Sequence, residues 1–526
     1  MDSDLRSIQQ ARDLLRKAHT AQQKFLKADQ GQVDRVIAAM VEAGIRHSER
    51  LGQLAYDETG FGRPDSKTEK NLFATRTLGE RMEGMKTVGI ISTGEDGQVW
   101  EVATPMGVVA ALVPSTNPTS TAMYKAIIAA KARCGIVMSP HPRAKVCTAE
   151  ALNVVADGAY RAGAPDGLFG CMSEVSLAGT NALLEDPITD VILATGGGAM
   201  VKAAYSKGKP AYGVGSGNVP AYVDRSADIE KAALDLVTGT SFDWGTLCST
   251  ERSVVADAPI RARLLDALRT HGAHVCTQEE VEILRAVVKV DGGLNIDIVG
   301  QSPARIAQMA GFAVAPDTKA LIAEVTEVGK QEPLSMETLS PILSFYSEDG
   351  WEAGCERCIE ILNFGGIGHT LVLHAKSQRV IEAFALEKPA MRIVVNTIAA
   401  LGSVGLTTSL FPAMTLGPGT IGGSITSDNI SPLHLLNIKR VAFETNPINS
   451  SQPAARVSLP AIEPSARASG DGSWMTEIEA RLRDRAGSRS IERPVAEEQA
   501  TTGKARKAEL PISEPEIESL IRRFRH

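Results

Sequence analysis

Cys248 lies in SFDWGTLCSTERSVV, a glycine-containing loop between a helix ending near Thr240 and a β-branched run. A thiol reacts as its thiolate, so it must be reachable and set among polar groups, and the neighbouring Ser, Thr and Asp residues meet that need. The other reading of a lone cysteine is a small buried hydrophobe. Asn117, in VPSTNPTSTAMYKA, stands where an apolar run gives way to a helix. It either caps that helix or donates its amide to a developing oxyanion. In ILATGGGAM the residues Gly196, Gly197 and Gly198 join a strand to a helix. Such a turn lets backbone N–H groups and a helix N-terminus approach a phosphate, although the spacing is not GxGxxG. His369, in FGGIGHTLVLH, is either a satisfied structural residue or part of a site. Cys355 and Cys358 form a CxxC pair in a helical stretch with no second ligand pair, so the sequence predicts no metal.

These residues need elements to position them. The first 90 residues carry Ile8, Leu14, Leu15, Phe25, Val33, Val36, Ile37, Met40, Val41 and Ile45 at three- and four-residue steps, which predicts helices. Residues 88–107 read as a hairpin around Gly94-Glu-Asp-Gly97. From Val108 short apolar runs (108–113, 136–139, 191–195, 221–223) alternate with helical stretches, the pattern of βαβ units whose strands are covered on both faces. A second alternating series begins at residues 253–256 and continues through 306–314, 321–325, 370–374 and 393–395. The expectation is α/β, with two doubly wound parallel-sheet units over 1–240 and 241–432. Residues 433–446 are expected to form a strand. The stretch 447–510 reads as a flexible linker, because it is rich in Pro, Ser, Ala, Glu and Arg and too poor in apolar residues to build a core.

With 526 residues the chain exceeds one compact core, and 43% hydrophobic with 22% charged residues is an ordinary globular composition. Its 55 basic and 62 acidic residues give a net charge of −7, which supplies no electrostatic footprint for nucleic acid. No apolar run reaches membrane-span length, and the start lacks a signal-peptide layout, so the sequence predicts a cytoplasmic protein without a membrane partner. Seven scattered cysteines suit reduced thiols better than a disulfide framework.

The blocks ALVPSTNPTSTAMYKA, SPHPRAK, VILATGGGAMVKAAY, PAYGVGSGNVPAYVD, FDWGTLCSTE, METLSPILSFY, GGIGHTLVLH and SDNISPLHLLNIKRVAF resemble the coenzyme-A-acylating aldehyde dehydrogenases. The likeness runs collinearly over residues 5–446. It implies an aldehyde dehydrogenase-like fold with an NAD-binding unit (1–240), a catalytic unit (241–432) and an oligomerisation arm of the 88–107 hairpin with the 433–446 strand. It implies a homo-dimer or tetramer that converts a small aldehyde to an acyl-CoA with NAD+ and coenzyme A, reversibly. Cys248 would be the nucleophile, and Asn117 with the Cys248 backbone N–H the oxyanion hole. Gly196 and Gly197 would lie near the dinucleotide phosphates and nicotinamide, Ser139 and Pro140 at the adenosine, and Glu337 at the nicotinamide ribose. His369 would lie near the active site in a role left open.

Where hydrolytic relatives carry Glu-Leu-Gly-Gly as a source of general base, this chain reads Tyr212-Gly-Val-Gly-Ser-Gly217, with no carboxylate. A thiol near its pKa of ~8.5 already supplies some thiolate, whereas water needs a base, so the substitution favours transfer to coenzyme A. Trp244 departs from the small or amide residue common beside this cysteine and leaves the aldehyde unspecified. His141 and Arg143 leave NADP open beside NAD. The competing readings are a hydrolytic dehydrogenase and a catalytically silent scaffold. Residues 511–526 have Ser513 and Glu516 at capping-box spacing and an apolar stripe of Ile517, Leu520, Ile521 and Phe524. They read as an amphipathic targeting helix for the shell proteins of a bacterial microcompartment.

Overall fold

The computed structural model describes residues 2–94, 97–290 and 292–449. The expected linker and targeting helix, residues 450–526, lie outside the described residues, as does the tip of the 88–107 hairpin.

Helices Ser3–Phe25, Gln30–Arg46, Ser48–Thr59 and Pro64–Leu72 occupy the amino-terminal part. Their starts are written locally: Asp29, for example, accepts from the Gln32 N–H at 2.7 Å. The first three bury an apolar face, as in Gln30–Arg46, where Val33, Val36, Ile37, Met40 and Val41 are buried, whereas Pro64–Leu72 buries Ser66, Lys67, Lys70 and Asn71.

A five-stranded parallel sheet runs in the spatial order Phe169–Cys171, Gly135–Pro140, Val108–Val113, Thr189–Thr195, Ala211–Val214. All residues of Val108–Val113 are buried, as a strand covered on both faces requires. Strand order reverses between Val108–Val113 and Thr189–Thr195, and the crevice beyond the carboxyl ends at such a point is where doubly wound sheets bind ligands. Asn117 follows the first of these strands and Gly196 the second.

A second, seven-stranded sheet is also parallel throughout, in the order Ala273–Val275, Ala320–Glu324, Ile342–Glu348, Glu251–Asp257, Val219–Val223, Gly368–His374, Ala390–Val395. Here the structure corrects the boundary at 240. The run at 221–223, read with the first unit, pairs in this second sheet, with Ala221 opposite both Val254 and Val372. Helix Ile229–Ser241 packs its Ile229, Ala233, Leu236 and Val237 into the same core. The chain therefore changes sheets between Val214 and Val219. A buried apolar run has the same local pattern in either sheet, so only tertiary pairing decides which one it joins.

The hairpin Gly89–Ser92 and Val99–Pro105 pairs antiparallel with Leu436–Ala442 as a separate three-stranded sheet. Most of its side chains are half-buried or exposed. Among the described residues no helix is long and apolar enough to cross a membrane.

Candidate active site

The Cys248 loop is built from a short turn, Phe242–Gly245, in which Asp243 and Trp244 both adopt φ 48°. Non-glycine residues rarely accept this conformation, so surrounding contacts must hold it. Buried Arg252 supplies several: its guanidinium donates to the carbonyls of Gly245, Leu247 and Ser340. Ser249 Oγ donates to the Ala400 carbonyl at 3.2 Å. Cys248 itself is half-buried. The sheet-changing segment runs directly against it, since a Cβ on Gly217 would fall 1.6 Å from the Cys248 carbonyl oxygen.

Asn117 occupies the N-cap position of the wholly buried helix Pro118–Lys131, yet its side chain makes no capping bond. Instead Nδ2 donates to the Thr246 carbonyl at 3.2 Å and to Thr116 Oγ1 at 3.1 Å, and Oδ1 accepts from Lys70 Nζ at 2.5 Å. The amide is thus tied into the Cys248 loop. Behind it stand Lys67, Lys70 and Asp243, all buried and ion-paired.

Glu337 Oε1 accepts from the Gly217 N–H at 2.9 Å, which places this carboxylate beside the segment lying on Cys248. Burial raises the Glu337 pKa, and Arg252 opposes the rise. The Cys248 thiol is pushed up to about 12, first by burial and then by Glu337, against the pull of Arg392 and Arg252. His369 is buried and neutral. Its pKa is held down at about 3 by burial and by Arg392, its Nδ1 lies 2.9 Å from Thr370 Oγ1, and Nε2 has no hydrogen-bond partner among the described residues. Arg392 donates to the His369 carbonyl at 2.9 Å and to Asn429 Oδ1 at 2.7 Å, and it acts electrostatically on both Cys248 and His369. Cys248, Asn117, Glu337 and His369 therefore share one charged surround, linked by Gly217, Lys70 and Arg392.

The remaining expected residues lie along the five-stranded sheet. Gly196 donates its N–H to the Val214 carbonyl at 3.3 Å, and Gly197 is the N-cap of helix Gly198–Tyr205. A Cβ on Gly197 or Gly198 would meet nothing within 4 Å, and the Cα of Gly198 is 3.8 Å from the Cβ position of Gly215. The turn is open to solvent and close to the strand-crossing segment, so it can accept a phosphate-bearing ligand at a helix N-terminus. Ser139 and Pro140 end strand Gly135–Pro140, on the other side of Val108–Val113, both buried, and Ser139 Oγ lies 2.8 Å from Thr180 Oγ1.

Several charged residues escaped the sequence reading. Lys67 and Lys70 sit on a mostly polar helix with no apolar stripe to mark a buried face, yet both are buried. Lys125 donates to the Leu112 and Leu193 carbonyls at 2.7 and 2.9 Å, bridging the two strands at the order reversal. Arg252 and Arg392 lie on strands and donate mainly to backbone carbonyls, which leaves no local signature. Cys355 and Cys358 are buried in helix Gly350–Phe364. A group of metal-ligand type exists elsewhere, at His274, Cys276 and Glu280, but His274 Nε2 and Glu280 are bonded to each other at 3.0 Å and Glu280 also completes a capping box.

The family model for the aldehyde dehydrogenase family matches residues 5–281. The chain is 38% identical over 434 residues to the bifunctional aldehyde-alcohol dehydrogenase of Escherichia coli, covering 82% of this chain and 49% of that protein, so it spans about half the length of that relative. The crystal structure of an acetylating aldehyde dehydrogenase from Geobacillus thermoglucosidasius superposes with a TM-score of 0.84 at 47% identity, covering 85% of this chain and 99% of that one. A propionaldehyde dehydrogenase of Rhodopseudomonas palustris, solved with bound coenzyme A and an acylated cysteine, matches with a TM-score of 0.74 at 27% identity, over 82% of this chain and 97% of that one. The chain belongs to the aldehyde dehydrogenase family, and within it is similar to the acylating enzymes.

Proposed function

We propose that the protein oxidises a small aldehyde to an acyl-CoA, reversibly, with Cys248 as the nucleophile. The observation that carries this reading is the packing of Gly217 on Cys248. The segment lying on the thiol brings no carboxylate of its own, since it is glycine there and a side chain at that position has no room, and the carboxylate beside it is Glu337, proposed for the ribose. The Cys248 thiol releases its proton to solvent and adds as the thiolate to the aldehyde carbon, and the carbonyl oxygen gathers negative charge beside the Asn117 amide and the Cys248 N–H. NAD+, when bound, supplies the acceptor for the hydride that leaves this carbon. The acyl group then stays on Cys248 as a thioester until the coenzyme A thiol takes it and Cys248 departs as thiolate.

Gly196, Gly197, Ser139, Pro140 and Glu337 would hold the dinucleotide, because the open glycine turn leaves space for phosphate and Glu337 offers a carboxylate to a ribose. His369 is too weak a base to store a proton at neutral pH. Its free Nε2 suits a hydrogen bond to the acyl or thiol group. The exposed three-stranded sheet is the proposed oligomerisation arm, since unpaired strand edges of this kind are covered by a second copy in a homo-oligomer. The 511–526 stripe is proposed to dock the enzyme on microcompartment shell proteins.

NADH formation with and without coenzyme A tests the activity. About one NADH per site without coenzyme A, followed by a slow rate, is expected from an acyl-enzyme that cannot activate water; rapid multiple turnover without it overturns the reading. A fluorescent reporter fused to residues 505–526 tests the tail: equal distribution with and without the peptide removes that proposal.

A further inference from the structure

A terminal amide fits its pocket in two orientations, and only one of them turns the N–H2 group toward an oxyanion. An ammonium donates and never accepts, so whichever end of Asn117 faces Lys70 must be the oxygen. The contact between Lys70 Nζ and Asn117 Oδ1, at 2.5 Å, leaves Nδ2 facing the Cys248 loop, where its two N–H groups reach the Thr246 carbonyl at 3.2 Å and Thr116 Oγ1 at 3.1 Å, one of which an oxyanion would displace. Lys70 is itself held on three sides: it pairs with Asp243, bonds Asn117, and lies 3.4 Å from Thr246 Oγ1. Asp243 accepts in turn from Thr246 Oγ1 at 2.6 Å, from the Arg63 N–H at 2.6 Å and from Lys67 at 3.1 Å. Lys67 also donates to the Thr116 carbonyl at 3.2 Å.

With Lys70 protonated the cluster buries two ammonium groups against one carboxylate, and burial lowers the Lys70 pKa to about 7 against the pull of Asp243. An unbalanced buried charge is costly unless other acceptors satisfy it, and the acceptors here are Asn117 Oδ1 and the Thr116 carbonyl. The surplus positive charge therefore bears on the amide oxygen, which polarises the amide and strengthens its N–H groups as donors.

We infer that Lys70 is a positioning residue: it fixes the orientation of the Asn117 amide and strengthens it as a donor to the oxygen of the Cys248 thiohemiacetal. This rests on the proposed role of Asn117 in the oxyanion hole. A merely structural cluster, pinning helix Pro64–Leu72 to the cysteine loop, would act independently of Asn117. A polarising one acts only through it.

A double-mutant cycle separates the two. The burst of NADH is measured in full-length wild type, Lys70→Met, Asn117→Ala and the double variant, with NAD+ and saturating aldehyde and without coenzyme A. Lys70→Met is expected to slow the burst by about 100-fold, the cost of losing one oxyanion donor, with NAD+ KM changed less than about threefold. In the Asn117→Ala background the same substitution is expected to cost less than about threefold, and Lys70→Arg should recover part of the wild-type rate. Losses that multiply, or a burst unchanged by Lys70→Met, overturn the inference. If Lys70→Met does not fold, Lys70→Gln, which keeps a donor without the charge, takes its place with the same expected non-additivity and the same overturning result. A wild-type burst with a multiplicative cycle defeats only the role of Lys70, whereas the absence of any wild-type burst defeats the proposed activity and the inference together.

Discussion

The triglycine turn follows a strand of the five-stranded sheet and the cysteine loop leads into a strand of the seven-stranded one, and the two are built in opposite ways. Gly197 and Gly198 are exposed, and a side chain there would meet nothing. The cysteine loop is enclosed by buried Arg252, Asp243, Lys70 and Arg392, and its backbone is pressed by Gly217. The first kind of glycine leaves space for a ligand to approach backbone donors. The second removes a side chain so that two protein segments can touch. A binding turn gains from accessibility, while a reacting thiol gains from dipoles and charges fixed before the substrate arrives, which need no reorganisation as charge develops.

The largest effect expected from this contrast is at the thiol. Cys248→Ala should lower acyl-CoA formation by about 10⁴-fold or more while leaving NAD+ binding near wild type, because in the proposed reaction the thiol forms the covalent intermediate and adds little ground-state affinity. Turnover within tenfold of wild type, measured as NADH release, would move the nucleophile elsewhere.

The paired substitutions Gly217→Ala and Gly197→Ala put the comparison itself to the test. A methyl at 217 collides with the Cys248 carbonyl, so the loop must shift, and overpacking of this kind costs about 1–3 kcal/mol of stability along with most of the activity. Gly197 has φ −62° and ψ 154°, which any L-residue accepts, so Gly197→Ala should change stability by less than about 0.5 kcal/mol. Its effect should fall on the NAD+ KM. Equal melting temperatures for the two variants would contradict the division between the two regions.

The sequence made the sheets legible wherever β-branched runs were long and continuous, as at 108–113 and 191–195, and it exposed Cys248 through its glycine-containing polar loop. Two things stayed hidden for physical reasons. The strand at 219–223 looks the same in either sheet, because its neighbours across the hydrogen bonds, at 251–257 and 368–374, are distant in the chain. Lys70 has its carboxylate partner 173 residues away, and no local pattern marks a lysine as buried by so remote a contact. Asn117 stood between capping and oxyanion roles on sequence alone. In the structure the side chain makes no capping bond and its Nδ2 reaches the Thr246 carbonyl instead, which argues against the cap and leaves the oxyanion role as the proposal.

A smaller effect should appear in reactivity. With its pKa pushed up to about 12, the Cys248 thiol is almost wholly protonated at neutral pH. The iodoacetamide alkylation rate of the Cys248 peptide, followed by mass spectrometry, should climb about tenfold per pH unit between pH 7 and 10 without levelling. An ordinary thiol, with a pKa near ~8.5, would level off within that range, and such a plateau in the unliganded protein would show that the surrounding charges activate the thiol before any ligand binds.

The smallest effect expected lies three residues beyond the thiol, where the enclosing wall contains a carboxyl group with no part in the reaction. Glu251 is buried, its Oε1 accepts from the Ala399 N–H at 2.6 Å, and Oε2 has no partner. Burial pushes its pKa from 4.5 up to about 8. A raised pKa means that the folded protein keeps a proton the unfolded chain releases. The stability tied to that proton is fully present below pH 4.5 and drains away as pH rises through 8. Glu251→Gln cannot ionise, so its melting temperature should fall less between pH 5 and pH 8 than that of wild type. Other titrating groups are common to both proteins and cancel in the difference. The variant should gain a few degrees on wild type at pH 8 relative to pH 5, and parallel pH profiles would show that Glu251 is ionised in the fold and compensated by Arg252.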